Sequence, residues 1–274
     1  MFPQSFVIKK NARNALKNNW IKAIMVSLSL IAITIFSEYF CGAVSNLLDT
    51  NYYFSFFNPK IALDVKAIAD VAVTLLRILL SAVLVAPAVL GTIRFFWSLT
   101  EDGEAEVGTL FYFFSSRKLL FRAIKAYFSF LWRFLLVIII CFLPYNIVNL
   151  FTSVDFYNAL GFTAPSWLVS VSTANQVLFF IGLVVSSLII FIFFMAPVLT
   201  SVCTGMKMKD VFKNSLLLAR GRYAHFLSLV ISFAGWLALS LLAFPVVYTM
   251  PLFLASYTCF AREVITFSND MAVI

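Results

Sequence analysis

The stretch VLFFIGLVVSSLIIFIFFMAP, residues 177–197, decides the class of protein to which this chain belongs. It contains no charged side chain, and it is long enough for a helix that crosses the hydrocarbon core of a bilayer, which needs ~20 mostly apolar residues. Over the whole chain, hydrophobic residues make up 62% and charged residues 12%, whereas soluble domains carry about 25% charged residues. Because a soluble core cannot hide that much apolar surface, we predict an integral membrane protein.

The apolar runs predict an all-α, polytopic membrane helical bundle of about six transmembrane helices. Four of the predicted spans are 21–43, 68–99, 126–151 and 167–205. Between His225 and Arg262 there is no charge, and this run is too long for one span. We predict two short helices there, 223–241 and 244–260; a single kinked helix with an interfacial segment is the alternative. All spans belong to a single membrane domain, residues 1–274.

Basic residues lie almost entirely at one end of the predicted spans. Of the 20 Lys and Arg residues, only Lys60, Lys66 and Arg77 fall on or near the opposite side. The positive-inside rule therefore predicts a multi-pass protein of the cell membrane with both termini in the cytoplasm. The net charge of +8 favours anionic lipid headgroups at the cytoplasmic face as partners. It does not favour nucleic acid, because the cations flank apolar runs.

The chain divides into three similar units, approximately 5–99, 104–205 and 207–267. Each unit opens with a short segment that we expect to form an amphipathic interfacial helix in the headgroup plane, at 5–20, 106–114 and 208–220. In the third segment, the residues expected on one apolar face are Phe212, Ser215, Leu216 and Ala219. An interfacial aromatic residue marks the start of each first span, namely Trp20, Tyr127 and Tyr223. The units would be parallel internal repeats with pseudo-threefold packing; chance similarity is the alternative.

Proline residues mark the positions at which the predicted spans should kink, because proline removes one backbone hydrogen bond. These positions are Pro87, Pro144, Pro197 and Pro251. In each repeat unit the second span contains a proline followed by an apolar string and then a cation, which are Arg94, Lys207 and Arg262. Neighbouring helices can bind the carbonyl groups that proline leaves without a donor.

Two stretches carry a resemblance to a known family: KKNARNALKNNW at residues 9–20 and VFKNSLLLARGRYAHF at residues 211–226. They resemble the bacterial integral membrane protein family called domain of unknown function 975. In that family a proline–tyrosine pair follows, whereas here Leu252 follows Pro251. The glycine-rich turn before the last helix is replaced by residues 241–245. The resemblance implies a six-helix membrane protein of Gram-positive-type bacteria, and it implies no activity because the family has no established one.

No combination of residues in the sequence predicts catalysis. His225 is the only histidine, the four cysteines are far apart, and no phosphate-binding glycine loop occurs. We therefore predict no catalytic residue, no metal and no cofactor. The acidic run at residues 101–106 could bind a cation or a basic partner, or it could be a set of solvated loop charges.

Charged residues inside the predicted spans are better candidates for a functional site, because a charge within a membrane commonly has a partner and a function. Glu38 and Arg77 fall at similar heights towards the outer face, with Asn175 and Gln176 near the same level. We predict that these four form an intramembrane polar cluster around a Glu38–Arg77 pair. In the alternative, Arg77 reaches the outer headgroups and Glu38 lies in water.

Three functions fit these observations. The first is a non-enzymatic accessory or scaffold component of a membrane assembly, with a membrane protein as its partner. The second is a transporter or channel for a small molecule or lipid, which overlong, proline-broken helices would suit. The third is an interfacial enzyme that acts on lipid, for which only the acidic run offers chemistry.

Overall fold

The computed structural model describes residues 5–48, 65–152, 168–239 and 245–272. Every regular element in these ranges is a helix, which confirms the predicted all-α class. The predicted outer cation Lys60 and most of the turn predicted near residues 243–245 lie outside the described ranges. The chain divides into two compact units, which are Met1–Phe128 with Met195–Ile274, and Ser129–Phe194.

The first unit contains most of the helices. Its amino-terminal part consists of α1 (Ser5–Leu16), α2 (Trp20–Leu47), α3 (Val65–Leu80), a π-helix (Ser81–Val85), α4 (Ala86–Asp102) and a 3₁₀ helix (Val107–Phe114). Helix α5 (Arg117–Thr152) begins in this unit and continues into the second unit, which also contains α6 (Leu168–Phe191). The carboxyl-terminal part of the first unit consists of α7 (Ala196–Val202), α8 (Met208–Ala219), α9 (Tyr223–Ile231), α10 (Ala234–Leu239) and α11 (Val246–Ala272).

Within the described ranges, 4 helical stretches are long and apolar enough to cross a membrane. They are Trp20–Leu47, Ala69–Asp102, Arg117–Thr152 and Asn175–Val202. In the most apolar part of Arg117–Thr152 only 6% of the residues are buried inside the protein. Side chains such as Ile139 and Ile140 therefore point away from the protein core, as lipid-facing residues do. The membrane class predicted from composition agrees with these stretches.

The four clear predicted spans match these stretches, but the carboxyl-terminal region differs from its prediction. The helix predicted at 223–241 is interrupted at Ser232 and Phe233, so that α9 and α10 replace it. The helix predicted at 244–260 continues to Ala272 as α11. Residues Tyr223–Trp236 form a shorter apolar stretch, below the length of the four longer ones.

Two of the four prolines lie where a helix is interrupted. Pro87 follows the π-helix, in which the Ala86 amide donates to the Ser81 carbonyl. This wider turn precedes a residue that has no amide hydrogen and whose ring would clash with the carbonyl four residues earlier. Pro197 follows a turn at residues 192–195 and is the second residue of α7. Pro144 and Pro251 lie inside the continuous helices α5 and α11, where a kink stays a prediction.

Each of the three short amphipathic segments is helical, and each packs on a different helix. Helix α1 packs against α11, the 3₁₀ helix against α4, and α8 against α7. Helix α4 in turn contacts both α7 and α11. The closest of these approaches is at the buried Gly91 of α4, which lies against the backbone of Leu110. Part of the apolar surface of each short helix is therefore covered by protein, whereas Phe6, Phe111 and Leu217 are exposed.

The buried faces of α1 and α8 follow helical spacing. In α1 the buried residues are Ile8, Ala12 and Leu16. In α8 they are Met208, Val211, Phe212, Ser215 and Ala219. Leu216, which we expected on this face, is 41% exposed. Leu216 therefore lies at the margin of this face, because the part that meets α7 is centred on Val211 and Ser215 and Leu216 lies about 100° further round the helix from Ser215.

Candidate functional site

The guanidinium of Arg77 on α3 binds the carboxylate of Glu38 on α2. Arg77 Nε and Nη2 lie 3.2 Å and 3.1 Å from Glu38 Oε1. The side chains of Arg77 and Glu38 are 42% and 38% exposed to the surroundings of the protein. The two charges therefore pair at the surface of the α2–α3 hairpin and not in its interior, and an exposed pair contributes little to stability in water.

A seam of small side chains runs along α2 beside this ion pair. Ser37, Cys41 and Ser45 are buried at intervals of one helical turn. Helix α2 packs against both α3 and the π-helix. Small residues let two membrane helices approach closely, so this seam fixes α2 against α3 at the level of Glu38 and Arg77.

The other two members of the predicted polar cluster belong to the second unit. Asn175 is buried, and its Oδ1 accepts no hydrogen bond from the part of the chain that the structure describes. Gln176 is exposed. Since these residues lie in a separate unit from Glu38 and Arg77, the cluster of four stays a prediction.

Within the second unit, aromatic rings and one glycine join α5 to α6. The Phe179 ring lies 5.3 Å from the ring of Phe142 and 5.3 Å from that of Tyr145. A β-carbon at Gly182 would lie 3.1 Å from the carbonyl oxygen of Cys141. This contact brings the two helix backbones close together, as is common at helix interfaces in membranes.

Arginine side chains of the first unit bind carbonyl groups at the ends of other helices. We did not predict these contacts from the sequence. Arg122 donates from Nε to Thr200 at 3.3 Å, from Nη2 to Cys203 at 2.6 Å and from Nη1 to Met206 at 2.7 Å. All three acceptors lie at or just beyond the end of α7. Cations are favourable at helix carboxyl ends, where carbonyl groups lack intrahelical donors.

Arg94 binds the same helix end from α4. Its Nη1 donates to the Ser201 carbonyl at 2.9 Å. The centre of its guanidinium group lies 3.9 Å from the ring centroid of Tyr112, within the range of a cation–π contact. Arg94 and Arg122 thus reach consecutive carbonyl groups, those of Ser201 and Thr200.

Two further arginines also donate to backbone carbonyl groups, one near the end of α4 and one inside α11. Arg262 donates from Nη1 to the Thr100 carbonyl near the end of α4. Arg222 donates from Nη1 to the Val264 carbonyl at 3.2 Å. We expected these cations to bind lipid headgroups, but each has at least one donor committed to the backbone. The preference of cations for helix carboxyl ends could have suggested the contacts made at helix ends, but it does not identify the partner helix.

Helix α1 is held by contacts of its polar as well as its apolar side chains. Lys9 Nζ donates to the Ser232 carbonyl at 2.7 Å and lies 4.1 Å from the ring centroid of Phe233. Partial burial lowers the pKa of the Lys9 ammonium. The outward side of the same helix carries the exposed Lys10 and Arg13, and the exposed Lys17 follows directly after the helix.

The first residue of α2 lies beside the first turn of α11. The rings of Trp20 and Tyr248 are stacked, with centroids 4.9 Å apart. The preceding residue, Asn19, donates from Nδ2 to the Gly103 carbonyl at 2.9 Å. Since Arg262 also reaches the end of α4, the chain segments before α2 and near the end of α11 both contact the end of α4.

The described residues contain no group of three or more His, Cys, Asp and Glu side chains that could hold a metal ion. The cysteines in the same ranges are free, and Cys41 is the buried one. The acidic loop residues Asp102 and Glu104 are exposed, whereas Glu101 Oε2 accepts a hydrogen bond from the Trp97 indole at 2.6 Å.

Comparisons with known proteins do not assign this site. The function must therefore be argued from the residues described above. No family model, no curated protein and no solved structure matches this chain.

Proposed function

We propose that this protein is a non-enzymatic accessory or scaffold component of a larger assembly in the cell membrane. One observation carries the proposal. The three short helices use apolar residues to pack on α11, α4 and α7, so that α1 and α8 present their polar residues outwards from a fixed framework. An amphipathic helix whose apolar face is already covered cannot insert that face into lipid, but it can present its other face to a partner.

The outward faces of α1 and α8 are basic. On α1, Lys10 and Arg13 are exposed and share one helical face, and Lys17, directly after the helix, is exposed as well. On α8, Lys209 and Lys213 are exposed one turn apart. None of these five cations has an ion-pair or hydrogen-bond partner among the described residues. They are therefore available to an acidic surface of a membrane protein partner, or to anionic headgroups.

The proposal includes six spans in three repeated units, 5–99, 104–205 and 207–267. The four long apolar stretches supply four of these spans, and we assign the other two to the hairpin of α9–α10 with α11. The order of elements supports the repeat, since a short helix precedes two longer helical segments three times. A hairpin that enters the membrane without crossing it is the alternative, and the stacking of Trp20 at the start of α2 on Tyr248 at the start of α11 favours it. Either arrangement leaves the carboxyl terminus on the same side.

We place both termini in the cytoplasm. Two contacts support a common side for them: Asn19 with Gly103, and Arg262 with Thr100, both at the end of α4. The surplus of Lys and Arg near these ends supports the cytoplasmic side. The resemblance to the domain of unknown function 975 family agrees with this arrangement and adds no activity.

Co-purification tests the accessory role. The full chain, tagged and extracted from native membranes in mild detergent, should retain one membrane protein at constant stoichiometry. A variant with Lys10, Arg13 and Lys17 changed to Gln should lose it, whereas a control with Arg117, Lys118 and Lys125 changed to Gln should retain it. A chain that purifies alone, or equal loss in both variants, would contradict the proposal.

A second candidate, a transporter or channel, is favoured by the Glu38–Arg77 ion pair on two apolar helices. Charges within membrane helices commonly face a polar pathway. In a background without other reactive cysteines, a cysteine at position 38 should then react with a membrane-impermeant maleimide from the outer side. Protection of that cysteine in intact cells, with labelling only after detergent is added, would count against a water-filled pathway.

A further inference from the structure

We propose that Arg94, Arg122 and Tyr112 form a binding site for a phosphate group at the end of α7. The ligand class is a phosphate monoester or diester anion, carried either by a lipid headgroup or by a free soluble molecule. The inference does not rest on the accessory role, because a phosphate group can bind here whether or not a protein partner exists.

The side chains of Arg94 and Arg122 converge on the end of α7. Arg94 comes from α4 and Arg122 from the first turns of α5, yet both donate to the same helix end. Their acceptors are the Ser201 and Thr200 carbonyl groups, at distances of 2.9 Å and 3.3 Å. Two like charges are therefore held at neighbouring positions of one backbone segment, which is unfavourable unless a negative charge lies nearby.

The charges of Arg94 and Arg122 have no acidic counter-charge among the described residues. Within the described ranges, neither arginine forms an ion pair with an acidic side chain. Carbonyl groups accept hydrogen bonds without neutralising a full charge, and the short helix α7 contributes only a partial negative charge at its end. An anion that binds between the two guanidinium groups would supply the counter-charge that the protein does not.

The Arg94 guanidinium also has N–H groups without an acceptor among the described residues. Among the described residues, no protein group accepts from Nε or Nη2 of Arg94. Stacking on Tyr112 at 3.9 Å fixes the plane of this guanidinium. A planar, fixed guanidinium edge with adjacent free N–H groups matches two oxygen atoms of a phosphate, which is the geometry that arginine recognises best.

The location is consistent with either source of phosphate. Arg94 lies two turns before the end of α4, and Arg122 lies near the start of α5, so both are near the ends of long apolar stretches. Both side chains are partly exposed. A headgroup phosphate could reach them from the membrane, and a soluble phosphate compound could reach them from water.

The experiment measures phosphate binding to the purified full chain in two arms. In the lipid arm, the protein is reconstituted in vesicles of phosphatidylcholine with phosphatidylglycerol, extracted, and analysed for retained phosphatidylglycerol by native mass spectrometry. In the soluble arm, inorganic phosphate is titrated against the thermal unfolding of protein held in phosphatidylcholine alone. Each arm compares the wild type with Arg94→Gln and with the control Arg117→Gln, which removes an exposed cation from the same region.

The proposal is supported if Arg94→Gln weakens binding by about tenfold, which is the effect of removing one charge-assisted hydrogen bond, while Arg117→Gln binds like the wild type. Loss in the lipid arm identifies a headgroup, and loss in the soluble arm identifies a free phosphate compound. No binding by the wild type in either arm, or equal loss in both variants, overturns it. If Arg94→Gln does not fold, Tyr112→Leu decides: it leaves both guanidinium groups but removes the stacking surface, and unchanged binding would overturn the proposal.

Discussion

Gly91 of α4 lies directly against the carbonyl oxygen of Leu110 in the 3₁₀ helix, with no space between them for a β-carbon. A β-carbon would also lie 2.7 Å from the Leu110 carbonyl carbon. Because the obstacle is backbone and not a flexible side chain, the 3₁₀ helix could not yield without moving as a whole. This single contact sets the distance between the two elements.

The contact predicts a large effect of adding one methyl group. Gly91→Ala should lower the free energy of unfolding in detergent by about 3 kcal/mol, the upper range for overpacking a core. Gly108→Ala is the matched control, because nothing lies within 4 Å of the added carbon there. Thermal unfolding of the purified variants measures both. Equal stability of Gly91→Ala and Gly108→Ala would mean that α4 and the 3₁₀ helix do not approach as described.

Arg122 should be the most important cation for the end of α7. Arg122→Gln removes the donors to the Thr200, Cys203 and Met206 carbonyls, and we expect a loss of about 2 kcal/mol because carbonyl groups are left without charged partners. Lys125→Gln, an exposed cation without a partner in the described ranges, should change stability by less than about 0.5 kcal/mol. Denaturant unfolding of the two variants would show the difference, and matching midpoints would refute the role of Arg122.

The Glu38–Arg77 pair should matter in a bilayer more than in detergent. In detergent its partial exposure limits its contribution to about 1 kcal/mol or less. In lipid, Glu38→Gln removes one carboxylate that binds Arg77, at a cost of up to about 3 kcal/mol for a charge at depth. We therefore expect Glu38→Gln to reduce the amount of folded protein in membranes, and the double variant with Arg77→Gln to restore it. If both single variants accumulate like the wild type, the pair does not lie within the membrane.

The long helices were predictable because a charge-free apolar run of about twenty residues has few other stable states. The run from 177 to 197 forms the end of α6, the turn at residues 192–195 and the start of α7. The helix is therefore interrupted just before Pro197, close to the predicted position. Helical spacing also identified most of the buried face of α8. It did not show that Leu216 would be exposed, because spacing alone does not show which part of an apolar arc meets the neighbouring helix.

The arginine contacts could not be predicted, because each joins residues far apart in the chain. Arg94 and Ser201 are neighbours only after α4 has packed on α7. The sequence shows that both lie near the end of an apolar run, but not that one binds the other. For the same reason we expected the cations at the cytoplasmic face to bind headgroups, whereas the structure separates those bound to carbonyl groups from those that point outwards on α1 and α8.

Site-specific photocrosslinking from α1 tests the accessory role most directly. A photoreactive amino acid at position 13, where Arg13 is exposed, is compared in native membranes with the same group at position 12, where Ala12 is fully buried. The account predicts that position 13 yields an adduct with one membrane protein of defined mass and that position 12 yields only crosslinks within the chain. Adducts from position 13 with lipid alone would contradict a protein partner on this face.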